Sequence, residues 1–196
     1  VRLPDGRRVT LRLPVPGLHN LRNATAALGV VAALDGDVAA AAEALAGFGG
    51  AGRRFERHGE VAGVAVVDDY AHHPVELRAT LAAARQAFPD RRLVAVFQPH
   101  LYSRTQLHGA EMGEALAAAD LAIVTDVYPA REAPIPGVTG ALVAEAAARH
   151  GAEVRYEPAR DELVARVTHA LRAGDLLLTM GAGDITTVGP AVARAL

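Results

Sequence analysis

Beyond Gly52 the chain repeats one pattern: a short apolar run, a polar turn-rich stretch, then a longer amphipathic stretch. The apolar runs are Val61–Val67, Leu93–Phe97, Leu121–Val124 and Asp175–Met180, with a shorter one at Glu153–Tyr156. Between and after them the spacing predicts helices over Pro74–Phe88, Ser103–Ala119, Gly137–His150, Arg160–Ala173 and Thr187–Leu196. Strands that are apolar at successive positions need cover on both faces. Their alternation with helices therefore predicts a mostly parallel sheet between two helical layers. Right-handed crossovers make this a doubly wound α/β domain. Arg53–His58 is placed as an antiparallel edge partner of the first strand.

The first fifty residues read differently. Val1–Leu3 and Arg8–Leu13 flank Asp5-Gly6, a hairpin turn signal. Pro14, Pro16 and Gly17 end the second strand. Helices are expected from Asn20 to Leu34 and from Asp37 to Ala46, with Asp35-Gly36 stopping one and Asp37 capping the next. Gly47–Gly52 holds four glycines in six residues and marks a hinge, dividing the chain into 1–50 and 51–196.

Composition narrows the chemistry. Of 196 residues, twenty are basic and twenty-two acidic, a net charge of −2, which argues against a surface built to neutralise nucleic-acid phosphates. At 51% hydrophobic the chain can bury a core. It has no Cys, which excludes disulfides, thiolate zinc sites and Cys nucleophiles. All its basic residues are Arg, so it carries no phosphate-loop lysine and no Schiff-base lysine. Its apolar stretches are too short and too often interrupted by charge for a membrane span. It shows no signal-peptide pattern at its start, and a cytoplasmic setting is expected. A start at Val1, inside a strand pattern, suggests a piece of a longer protein.

In open α/β sheets, ligands bind beyond the carboxyl ends of the strands. Here those ends are Asp68-Asp69-Tyr70-Ala71-His72-His73-Pro74, Gln98-Pro99-His100-Leu101-Tyr102-Ser103-Arg104, Thr125-Asp126-Val127-Tyr128-Pro129 and Gly181-Ala182-Gly183-Asp184. All four are polar, whereas the opposite loops look like plain connectors. His72, His73 and His100 lie on this edge. A metal reading is weak, because neighbours on an extended loop point opposite ways and His72 and His73 make poor co-ligands. Contact with an anionic or amine ligand suits them better. Ser103 is the expected N-cap of the following helix. Arg104 in its first turn would then suit a carboxylate or phosphate, or equally stand as a solvated charge. Gly181–Asp184 is half a dinucleotide fingerprint or simply a tight strand-to-helix turn. Asn20 and Asn23, the only two Asn residues, share one helix face and could pair with an adenine edge, although Asn20 could instead cap the helix. Arg53-Arg54 after the hinge could stack on a base or merely charge an edge strand.

In their order along the chain, Gly17–Ala24, Gly52–Glu56, Asp68–Pro74, Phe97–Thr105, Val127–Ala130 and Gly181–Ile185 resemble the motifs of Mur ligases. The likeness is strongest to the members that join L-alanine to UDP-N-acetylmuramate, the first amino-acid addition of peptidoglycan synthesis. It implies an N-terminal UDP-sugar domain, a central ATPase domain and a C-terminal Rossmann-like domain that receives the amino acid. Residues 1–50 would be the end of the central domain and 51–196 the C-terminal domain. ATP and Mg²⁺ are the implied cofactors, with magnesium held mainly by the absent upstream part.

The resemblance also implies residue roles. His19, Asn20 and Asn23 would lie on the adenine side of ATP. Arg54 and Asp69 would reach the nucleotide, Asp69 accepting from ribose hydroxyls. Tyr70, His72, His100 and Arg104 would line the amino-acid pocket, with His72 or His100 as catalytic base. Many relatives carry Arg where this chain has Leu101, which would shift the carboxylate load to Arg104. The fragment alone is expected to be inactive, with the missing N-terminal and central domains as its partners. Nucleic acid and membrane are not expected partners. Competing readings are a ligase adding a preformed peptide to the same sugar during wall recycling, a non-catalytic nucleotide- or amino-acid-binding module, and a metal-dependent hydrolase.

Overall fold

A computed structural model describes residues 1–3 and 6–196. The chain divides into two compact units, Val1–Ala51 and Gly52–Leu196.

In the first unit an antiparallel bridge joins Arg2 to Arg8, and Val9 N donates to Val1 O at 2.9 Å. The turn expected at Asp5-Gly6 lies partly outside the described residues. Arg8–Leu13 does not continue as a strand beyond that bridge. Helix α1 spans Leu18–Ala33 and α2 spans Val38–Ala46. Helix α1 starts two residues earlier than expected because Gly17, at φ 100°, turns the chain into it. Asp35 (φ 56°) turns the chain after α1, and the Asp37 carboxylate then accepts from Ala39 N and Ala40 N, both at 3.0 Å. Leu3, Leu28, Val38 and Ala42 form this unit's small core.

The second unit is a six-stranded sheet in the order β1-β2-β6-β3-β4-β5. Its strands are β1 (Glu56–Val61), β2 (Val64–Asp69), β3 (Arg92–Phe97), β4 (Leu121–Val124), β5 (Val154–Tyr156) and β6 (Asp175–Met180). Only β1 is antiparallel. The apolar run Val61–Val67 is not one strand. Ala62 (φ 49°) and Gly63 (φ 78°) form a two-residue turn of the kind that matches strand twist, so Val61 closes β1 and Val64 opens β2.

Strand residues alternate faces, and this divides the core in two. Ala65, Val67, Leu93, Ala95, Phe97, Leu176 and Leu178 pack under α3 (Pro74–Ala87), α4 (Tyr102–Leu116) and α5 (Ala141–Arg149). Val64, Val66, Val94, Val96, Ile123 and Leu177 pack under α6 (Leu163–Ala170) and α7 (Val188–Ala195). This is the doubly wound arrangement the hydrophobic pattern predicts. Helices α5 and α6 are shorter than expected, because residues 137–140 and 160–162 are not helical.

The connectors at the amino edge are stitched by charge. Arg92 grips Asp175 through Nε at 3.0 Å and Nη2 at 2.9 Å, tying the starts of β3 and β6. Arg85 and Arg91 pair with Asp120 at 2.8 Å and Glu60 at 2.7 Å. The opposite edge is left to the loops that carry the candidate chemistry.

Candidate functional site

Asp68 and Asp69 end β2, and as consecutive strand residues they face opposite layers. Asp68, fully buried, accepts from Thr179 Oγ1 at 2.7 Å and Thr186 Oγ1 at 3.0 Å, and pairs with Arg53 Nε at 3.1 Å. Arg53 also donates to Gly181 O at 2.7 Å. Asp69, 4% exposed, accepts from Phe55 N at 2.8 Å, Ala71 N at 2.8 Å and Thr80 Oγ1 at 3.1 Å. Burial raises its carboxyl above the ordinary Asp value, outweighing the two amides, Thr80 and the Arg54 charge. Within this unit Asp69 faces inward: it holds the amides of the residues that follow Arg54 and Tyr70, and both its oxygens are engaged.

The Tyr70 ring lies under both Arg53 and Arg54, whose guanidinium carbons are 4.9 and 5.4 Å from its centroid. His72 stands edge-on to Tyr70 at 5.1 Å, and its Nδ1 is 2.8 Å from Tyr70 O. Glu76 Oε2 accepts from His72 N and His73 N at 3.0 and 3.2 Å, closing the start of α3. The two imidazoles diverge. His72 faces His100 at 5.8 Å, whereas His73 packs on His108 of α4 at 4.9 Å. His108 is half-buried, and its Nδ1 has no hydrogen-bond partner among the described residues.

The β3 and β4 loops zip together. Tyr128 N donates to Pro99 O at 2.8 Å, and Leu101 N donates to Tyr128 O at 3.0 Å. The His100 ring thereby stacks on Tyr128 at 5.8 Å and 13°. Leu101 takes φ 72°, ψ 133° as the residue before α4, a conformation that costs a non-glycine residue about 1–3 kcal/mol. It is held there by Tyr128 O and by Thr105, whose N and Oγ1 both donate to Leu101 O, at 3.0 and 2.8 Å. Arg104 Nη1 lies 3.4 Å from His100 Nδ1. Burial, then the charges of Arg104 and His72, push His100 below the ordinary imidazole value, against a smaller opposing effect of Glu132.

Ser103 is not the N-cap. It lies inside the first turn of α4, and the acceptor comes from a distant loop: Glu132 Oε2 takes Ser103 N at 2.9 Å and Oε1 takes Ser103 Oγ at 2.5 Å.

Gly181–Asp184 is the tight turn. At Gly183 a Cβ would meet Gln98 Oε1 at 2.5 Å, and Gly181 has φ 146° with Gln98 O 2.8 Å from its Cβ position. The Asp184 carboxylate accepts from Gln98 Nε2 at 2.7 Å and Arg160 Nε at 3.3 Å, and makes no cap bond to the following helix. On one rim of unit two, then, Tyr70, His72, His100 and Arg104 form a continuous line, walled by Tyr128 and Gly183.

A model of the Mur ligase family, described as "Mur ligase, glutamate ligase domain", matches residues 53–183. The chain belongs to the Mur ligase family. It is 56% identical over 186 residues to a UDP-N-acetylmuramate–L-alanine ligase of Kineococcus radiotolerans, covering 95% of this chain and 40% of that protein. It is 53% identical over 188 residues to the ligase of the same name from Streptomyces coelicolor, covering 96% and 41%. Among solved structures, the UDP-N-acetylmuramate–alanine ligase of Thermotoga maritima superposes with a TM-score of 0.80 at 30% identity, covering 94% of this chain and 39% of that one. A murein peptide ligase of Psychrobacter arcticus gives 0.69 at 25%, covering 94% and 38%. The chain thus spans about 40% of the length of the curated relatives it matches.

On the first unit of this Mur ligase segment, Asn20 and Asn23 share a face of α1. Asn20 is half-buried and not a cap: its Nδ2 donates to Pro16 O at 2.7 Å. Asn23 is exposed and His19 half-buried. Sequence reading placed Gln98 and Tyr128 in the strand-end loops and Arg53 after the hinge without giving them a part in building the rim, and it missed Glu132 altogether. Tyr128 carried a signal as an aromatic next to Pro129 in a strand-end loop. The partners of Gln98 and Glu132 are 86 and 29 residues away, which no local pattern encodes.

Proposed function

We propose that the chain is the C-terminal part of an ATP-dependent ligase that joins L-alanine to UDP-N-acetylmuramate in peptidoglycan synthesis, and that it is inactive alone. The proposed reaction phosphorylates the sugar's lactyl carboxylate, giving an acyl phosphate and ADP. The alanine amine then attacks the acyl carbon, and the C–O bond to phosphate breaks. The products are an amide, ADP and phosphate. The observation that carries this reading is the convergence of His72, His100 and Arg104 on one rim. A guanidinium there suits the alanine carboxylate.

The tautomers divide the two histidines. His72 Nδ1 faces a carbonyl and so carries hydrogen, leaving Nε2 free to accept a proton from the alanine ammonium. His100 Nδ1 faces the Arg104 donor and so lacks hydrogen, leaving Nε2–H as a donor. We therefore assign His72 as the base and His100 as an orienting donor. Asn20, Asn23 and His19 are proposed for the adenine side and Arg54 for the nucleotide phosphates or ribose. Asp69 enters this reading as a support for Arg54 and Tyr70.

Magnesium finds no fitting site here. Asp68 and Asp69 are already engaged, and no group of three His, Asp or Glu stands ready for a metal among the described residues. No step is routed through it. No helix among the described residues is long and apolar enough to cross a membrane; the cytoplasmic setting is proposed with the ligase reading.

The test is Arg104→Ala in the full-length enzyme. The KM for L-alanine should rise about 10- to 100-fold, the worth of a charge-assisted hydrogen-bond pair, with the KM for ATP little changed. Equal effects on both would make Arg104 merely structural. L-alanine set against a tripeptide in competition separates this ligase from a peptide-adding one.

A further inference from the structure

Glu132 belongs to none of the roles assigned above, yet it is tied to the rim. It sits in the sixteen-residue connection 125–140 between β4 and α5. That connection leaves the zipped segment at Tyr128, turns at Ala130 (φ 52°), and is closed by Glu132 N donating to Pro129 O at 2.9 Å. The turn aims the carboxylate at the start of α4. There Leu101 precedes the helix with an apolar side chain and supplies no side-chain cap. Glu132 takes that place from across the fold, gripping both the amide and the hydroxyl of Ser103. Its carboxyl is held below the ordinary Glu value by the Ser103 hydroxyl and amide first, and also by the Tyr102 amide and the Arg104 charge.

We infer that Glu132 is a positioning residue for the amino acid: by clamping Ser103 it fixes the first turn of α4 and with it the guanidinium of Arg104. The inference rests on the reading of Arg104 as the carboxylate anchor. Two physical consequences support it. An anionic side chain occupying the helix N-terminus leaves Arg104 as the cation offered to a substrate carboxylate. It also sets a negative charge against that of Arg104 beside His100. Because the clamp is exposed, breaking it costs the fold little, and kinetic changes can be read directly.

The experiment is a set of variants in the full-length enzyme: Glu132→Gln, Ser103→Ala, Ser103→Thr, the double variant Glu132→Gln/Ser103→Ala, and Arg104→Ala. Glu132→Gln should raise the KM for L-alanine about 10-fold, the scale of weakening one charge-assisted hydrogen bond, with kcat and the KM for ATP within about twofold. Ser103→Ala should move the same constant in the same direction, and the double variant should be no worse than Glu132→Gln, because both act through one contact. Ser103→Thr keeps the hydroxyl and should stay near wild type. An unchanged L-alanine KM in Glu132→Gln overturns the inference. So does a rise in Glu132→Gln with Ser103→Ala unaffected, which would mean direct contact with substrate. Equal losses for every substrate overturn it as well, by making Glu132 a support for the whole fold. If Arg104→Ala itself leaves the L-alanine KM unchanged, the pocket reading fails and the inference fails with it.

Discussion

A Cβ on Gly183 would stand 2.5 Å from Tyr128 Cγ. The same atom would be 2.5 Å from Gln98 Oε1, so the turn after β6 admits no side chain toward the ring that backs His100. Gly183→Ala must therefore push Tyr128 off His100 or open the turn. Overpacking of this kind costs about 1–3 kcal/mol. Urea unfolding of the 196-residue chain should show that loss. A change below about 0.5 kcal/mol, within the usual range for surface substitutions, would mean the ring swings clear.

Much of this geometry was legible in the letters. Apolar runs at 93–97, 121–124 and 175–180 announced buried parallel strands, and the polar strand ends located the rim. What failed was local in form but distant in cause. Ser103 looks like a cap because Ser usually is one. The helix instead starts one residue earlier and borrows Glu132, 29 residues on. Asp69, which the resemblance sets toward ribose, is a separate case, since that role stays a proposal while its carboxylate is engaged within the second unit. It is inward because the alternation that sends Asp68 to Thr186 sends Asp69 to Thr80. The turn inside Val61–Val67 was hidden because Ala62-Gly63 is small and apolar and reads as more strand.

The Arg92–Asp175 pair ties two neighbouring parallel strands at the edge away from the rim. Asp175 is 1% exposed and Arg92 24%, so the pair is only partly desolvated. Asp175→Ala strips the acceptor from Arg92 and from Arg172 N, which donates to it at 2.9 Å. After discounting for the exposed side, a loss of about 2–3 kcal/mol is expected. It should appear in the urea midpoint with the denaturant slope unchanged. A loss as small as that of a surface pair would mean water replaces the carboxylate.

His100 gives the stability of the chain a pH dependence of known sign. Its folded value lies below the ordinary 6.5, so on acidification the unfolded chain takes a proton that the folded chain refuses. The associated stability is present above about pH 6.5 and is lost as the pH falls from there through the lowered folded value. His100→Gln should flatten that part of the curve measured between pH 7.5 and 5. A wild-type slope retained in the variant would assign the acid sensitivity elsewhere.

Asn23 is exposed on α1 and is free of the backbone bond that engages Asn20. If it pairs with an adenine edge, Asn23→Ala in the full-length enzyme should weaken ATP use by about 1–3 kcal/mol, the cost of an unpaired buried amide. The unfolding of the isolated chain should not change. An unchanged KM for ATP would remove Asn23 from the nucleotide site.

Asp69 separates two roles that one carboxylate could not fill equally. If its work is internal, Asp69→Asn replaces an oxygen by an NH₂ that must face Phe55 N, Ala71 N or Thr80 Oγ1. A donor set against a donor in a buried site costs about 1–3 kcal/mol, and the isolated chain would lose that stability at pH 7. Part of the loss is offset, because burial already penalises the ionised carboxyl and the neutral amide escapes that penalty. The offset has a direction. The folded value is raised, so the wild type gains relative stability as the pH falls through it, and the penalty of the variant should grow between pH 7 and pH 4. If the carboxylate instead serves chiefly to accept from ribose, the isolated chain would keep its stability while the KM for ATP rose in the full-length enzyme. With three internal donors within 3.1 Å and 4% exposure, the first outcome is the expected one.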